Sequence, residues 1–100
     1  VNRSLVRVGV AYGTDTRRVG DILREICRNT PHILKEPGPI VTFDEFGDST
    51  LNFAVRFYLA TLDNRFATVN ELHNAIAERF AEENIEIAFP QMDVHMKSDA

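Results

Sequence analysis

Cysteine is nearly absent: Cys27 is the only one in 100 residues. No internal disulfide is possible, and a reducing compartment is compatible. Long apolar runs are missing too. The longest are a handful of residues, far short of the roughly 20 that cross a bilayer as a helix. Positive charge is in deficit, with 11 basic against 15 acidic residues and a net charge of -4. That balance argues against nucleic-acid binding, since a phosphate-backbone binder needs a basic stripe to displace counterions. The acidic side chains are scattered, which reads as solubility and not as an acidic tail. Nothing resembling a secretory leader opens the sequence, so the formal sequon Asn2-Arg3-Ser4 carries little weight.

Catalytic patterns are missing as well. His32, His73 and His95 fall on a loop, a helix and the C-terminal tail with no ligand spacing among them, whereas zinc wants closely spaced Cys or His pairs. Asp44, Glu45 and Asp48 gather near a turn without calcium-loop spacing and read as a solvated turn. Gly9 and Gly13 have the wrong spacing for a phosphate loop, and no Lys-Ser/Thr pair follows them. No strand carries the interleaved aromatic and basic residues of an RNA-binding sheet. Cys27 sits on an apolar helix stripe, the place of a structural thiol and not of a nucleophile. The residues therefore assign no catalytic, cofactor-binding or metal site, and the chain is not read as an enzyme.

What is present is the material of one ordinary domain. A hydrophobic share of 44% and a charged share of 26% fit a globular chain with a single core. The first residue is Val1 and not methionine, which points to a piece of something longer.

Val6, Val8 and Val10 recur at period two and predict a strand over residues 5–12. Gly13-Thr14-Asp15 turns the chain, with Thr14 or Asp15 as helix cap. Val19, Ile22, Leu23, Ile26 and Cys27 then form one helical stripe, ended by Asn29-Thr30-Pro31. A stiff, proline-bearing connector leads to Pro39. Strands follow over residues 40–46 and 51–60, joined by a Gly47-Asp48-Ser49 turn. Thr68-Val69-Asn70-Glu71 matches a capping box for a second helix, whose stripe is Val69, Leu72, Ile76 and Phe80. Asn84 suits the left-handed position after it, and Ile85, Ile87 and Phe89 predict a last core strand closed by Pro90.

The order β-α-β-β-α-β, with right-handed crossovers, makes an α+β, ferredoxin-like sandwich. Strands one and three lie at the centre of an antiparallel sheet, and both helices cover one face. Residues 1–90 form this domain and residues 91–100 a tail. The tail keeps alternating, with Met92, Val94 and Met96 on one side, although the sheet already has its four strands. It is either a loose or edge-packed terminus or a strand that pairs with copies of itself, since an exposed apolar strand otherwise invites aggregation. In a symmetric ring that pairing closes.

Four stretches taken together are distinctive. They are Val8-Gly9-Val10-Ala11-Tyr12 with Thr14-Asp15, Ile33-Leu34-Lys35-Glu36-Pro37 with Pro39, Phe46-Gly47-Asp48-Ser49 with Leu51-Asn52-Phe53, and the run from Ile85 to Val94. In this order they resemble the cytoplasmic C-terminal region of small-conductance mechanosensitive channels, the MscS family. The resemblance covers nearly the whole chain, and Phe89-Pro90-Gln91-Met92-Asp93-Val94 is its most specific part. It implies a homo-heptamer in the bacterial inner membrane that releases ions and solutes on hypo-osmotic shock. It implies that this domain builds a cytoplasmic cage, touching the membrane only through segments absent here. The tail strand, with Pro90, Gln91, Met92, Val94 and Met96, would then be an oligomer interface closing a small parallel barrel. Ala88 departs from the family, many members of which carry proline there. The family's membrane helices and middle β domain have no counterpart in this sequence. Two other readings stay open at this point: a ferredoxin-like small-molecule-binding regulatory domain, and an acylphosphatase-like enzyme, for which no anion-holding loop is evident.

Overall fold

The computed structural model of the chain describes residues 2–88. Strand β1 (Asn2–Val10) is followed by helix α1 (Thr16–Arg28), strands β2 (Ile40–Phe46) and β3 (Leu51–Leu59), a short 3-10 turn (Leu62–Asn64) and helix α2 (Arg65–Glu82). The sheet is antiparallel in the order β1-β3-β2. Nine residues of β1 pair with nine of β3, from Asn2 opposite Leu59 to Val10 opposite Leu51. The strand starts earlier than alternation alone predicts, and Ser4, opposite Phe57, joins its buried face.

The fourth strand is shorter than expected among the described residues. It amounts to one antiparallel bridge, Val10 to Ile87, flanked by Ala11 N–H to Glu86 C=O (3.1 Å) and Ala88 N–H to Gly9 C=O (2.9 Å). The bridge lies on the free side of β1, where the expected topology puts strand four. Phe89 lies outside the described residues.

One face of the sheet carries the core. Val6 and Val10 of β1 and alternate residues Leu51 to Leu59 of β3 are buried in one cluster with the stripes of both helices, so α1 and α2 cover the same face. Phe57, Phe80, Leu23, Leu59 and Leu72 are its largest fully buried side chains. Asp15, and not Thr14, caps α1, accepting from the N–H groups of Arg17 (3.1 Å) and Arg18 (3.2 Å). At the other end the Thr30 hydroxyl donates to the Ile26 carbonyl at 2.7 Å, satisfying one orphan acceptor. Charge also ties the helices together: Arg79 of α2 lies 3.1 Å from Glu25 of α1 and 3.0 Å from Glu83, which also pairs with Arg18.

The capping box at Thr68 does not form. Helix α2 begins three residues earlier, and Thr68 lies buried inside its first turns on the stripe of Leu72, Ile76 and Phe80. The N-cap of α2 is Asn64, whose side chain makes no capping bond; the Thr61 hydroxyl caps the preceding 3-10 turn, accepting from the Asp63 N–H at 3.2 Å. Spacing explains the difference: Thr68 is four residues before Leu72, so continuing the helix backwards places it against the core. Its hydroxyl has no hydrogen-bond partner there.

The exit of α2 is a Schellman motif. Asn84 takes φ 60°, its N–H donates to Ala81 (3.2 Å), and the Ile85 N–H donates to Phe80 (2.8 Å). Ile85 and Phe80 are both buried in the core, so the motif turns the chain back toward β1.

Candidate functional site

The side chains that could carry chemistry do not converge. His32 is exposed on the connector after α1 and His73 is exposed on α2, while His95 lies outside the described residues. Among the described residues no group of three or more His, Cys, Asp or Glu is placed to hold a metal ion. The hairpin acids are engaged separately: Thr42 donates to Asp44 at 2.6 Å, Arg56 lies 3.9 Å from the same carboxylate, and Asn52 donates to Glu45 at 3.1 Å. Cys27 is buried, and desolvation pushes its thiol up to about 11. A thiol so protonated at neutral pH is a poor nucleophile and serves as packing.

The tail interface, Pro90, Gln91, Met92, Val94 and Met96, lies outside the described residues. An open groove of about 700 Å³ flanks the segment leading to it, with Val8, Phe53, Ile76, Ile87 and Ala88 among its walls. No described helix is long and apolar enough to cross a membrane.

Large apolar side chains are exposed at the β2 end of the hairpin, where Phe46 (73% exposed) meets Phe43 edge to face with ring centroids 5.0 Å apart, and on two further surfaces. The first is the face of the sheet away from the helices. Register sets its rows: Arg3 opposite Tyr58, then Leu5 and Ile40 on either side of Arg56, then Arg7 and Thr42 on either side of Ala54. Leu5 is 39% exposed and Ile40 49%. Arg56 at the centre of this face is engaged by Asp44 (3.9 Å) and donates to the Thr42 hydroxyl at 3.1 Å. The second surface is the outer side of α2. Phe66 is 85% exposed and Leu62, just before the helix, 57%. Glu71, Glu78 and Glu82 are exposed along the same helix. Little in the residues points to Phe66, because a helix beginning at Thr68 leaves it in a connector. Its position off the Leu72–Ile76–Phe80 stripe becomes visible once the helix start is known.

Residues 5–87 match the family described as the C-terminal region of the mechanosensitive ion channel MscS. The chain is 40% identical over 99 residues to an uncharacterized MscS family protein of Haemophilus influenzae, covering 99% of this chain and 9% of that protein. It is 39% identical over 97 residues to the mechanosensitive channel MscK of Escherichia coli, covering 97% of this chain and again 9% of the relative. The chain thus spans less than a tenth of the length of either protein. Among solved structures, the closed state of Helicobacter pylori MscS superposes with a TM-score of 0.81 at 28% identity, covering 88% of this chain and 35% of that one.

Proposed function

The chain belongs to the MscS family of mechanosensitive ion channels, as its C-terminal domain, and on that premise we propose that it helps build a cage of identical subunits below a tension-gated pore. On this reading the whole protein is a homo-heptamer of the bacterial inner membrane. This domain lies on the cytoplasmic side, and the pore releases ions and solutes on hypo-osmotic shock. The domain performs no reaction; its work is mutual packing, and the polar walls of the cage screen what reaches the pore.

The observation that carries the reading is the match of the C-terminal MscS region over residues 5–87, nearly the full described fold. The helix-free sheet face, with Leu5 and Ile40 exposed between arginines, supports packing against something outside the domain. Residues 90–96 are proposed as a second self-association element, with Met92, Val94 and Met96 on one side. The test is survival of osmotic downshock in a channel-deficient bacterium carrying the full-length protein, together with patch recording under suction. Tension-gated currents and survival are expected. A full-length protein that inserts in the membrane but neither conducts under tension nor protects would overturn the proposal.

A further inference from the structure

Independently of how copies assemble, we infer that the groove between α1 and the β2 edge of the sheet is a binding site for a small aromatic carboxylate. The groove has a volume of about 390 Å³, within the range of small-molecule sites. Its floor is apolar. Val41 and Phe53 are buried there, and Phe43 lies stacked on Phe53 with ring centroids 5.0 Å apart. Phe43 nevertheless stays 36% exposed, so the groove presents an aromatic surface to whatever enters it. The site lies at the β2 edge, whereas the bridge to Ile87 is made on β1, at the opposite edge of the sheet.

The rim selects the charge. Arg17, Asp21 and Arg24 of α1 line the groove, and they are its only charged residues. Asp21 holds Arg24 at 3.0 Å, whereas Arg17 has no ion-pair partner among the described residues. Two guanidinium groups against one carboxylate leave a single positive charge, which suits a singly charged anion better than a polyphosphate. A carboxylate matches the planar guanidinium fork, and a ring attached to it has Phe43 to pack against. Gly20 points the same way. Glycine within a helix costs stability relative to alanine, yet Gly20 sits in the middle of α1 on the groove wall. Packing does not demand it there. The three nearest atoms a Cβ would meet all belong to the flexible Arg24 guanidinium, the closest at 3.4 Å, an ordinary contact. What the missing side chain leaves is room in the groove beside Arg24.

The experiment titrates the isotope-labelled chain with 2-naphthoate and follows its amide signals by NMR. The neutral 2-naphthamide and the non-aromatic cyclohexanecarboxylate are the comparison compounds. Saturable shifts are expected at the amides of Gly20, Val41 and Phe43, with a Kd on the order of 1 mM or tighter. Both comparison compounds should bind several-fold more weakly, as should Arg17→Gln and Phe43→Leu with 2-naphthoate. Arg17 is exposed, so Arg17→Gln keeps the test decisive should Phe43→Leu fail to fold. Gly20→Ala should also weaken binding several-fold while leaving the melting temperature unchanged or raised, a combination that a merely structural glycine does not give. No saturable shifts, equal binding of acid and amide, shifts centred on the groove beside Ile87, or undiminished binding by Gly20→Ala would overturn the inference. The result is read on this chain alone, so it stands or falls apart from the channel reading.

Discussion

The two faces of the sheet are built from the same three strands and follow different rules. On the helix side, alternate positions of β1 and β3 from Val6 to Val10 and from Leu51 to Leu59 are apolar and buried, save Val8, which is only partly covered. On the other side, arginines, a tyrosine and two exposed aliphatics stand around Ala54, which is fully buried without any helix over it. A face that only had to meet water would be expected to alternate toward polar residues. The difference teaches that burial within the fold accounts for the first face but not for the exposed Leu5 and Ile40 of the second, which the proposed self-association would cover.

The sharpest way to break this comparison is to truncate one residue on each face. Phe57→Ala on the helix side should cost about 3–5 kcal/mol in urea or thermal melts, because it opens a fully enclosed cavity. Leu5→Ala on the other face should stay within about 1 kcal/mol. Equal losses would dissolve the distinction. A smaller effect is expected at the turn that brings the chain from α2 back to the sheet. Asn84→Val should destabilise by roughly 1–2 kcal/mol, since a β-branched residue resists the left-handed region, whereas Asn84→Gly should be close to neutral. Thr68→Val should go the other way and stabilise by about 1 kcal/mol, by replacing a buried hydroxyl without a partner with a methyl group. A loss of stability there would mean that the hydroxyl does work not seen in the fold.

The smallest expected effect concerns pH. Hydrogen bonds from Arg79, with help from Arg18, hold the Glu83 carboxyl below its usual value. A carboxyl with a depressed folded value contributes stability above its unfolded value and loses that contribution as pH falls through the folded one. Stability should therefore decline on acidification below the ordinary carboxylate range, and Glu83→Gln should flatten part of that decline. The group is partly exposed, so the change should be slight and screened by salt.

Much of this was legible in the residues. The α1 stripe, the hairpin, the central place of β1 and β3 and the left-handed Asn84 all follow from local periodicity and turn chemistry. The start of α2 did not, because a good capping pattern at Thr68 to Glu71 competed with burial of Thr68, and burial is a tertiary effect. The order of elements puts the fourth strand beside β1, where the described residues hold a single bridge, at Ile87. On the outer face of β1, alternation alone places Leu5, Arg7, Gly9 and Ala11, a mixed set. Its meaning needed the register, which alone sets Leu5 and Ile40 on either side of Arg56.

The central claim is that one face folds the domain and the other joins it to its copies. Leu5→Thr combined with Ile40→Thr keeps strand preference while removing the exposed aliphatics. Sedimentation across a concentration series, paired with a melt of the same sample, tests it directly. The account predicts loss of concentration-dependent association with the melting temperature within about 5 °C of the parent. Association unchanged, or a domain that unfolds, would contradict it.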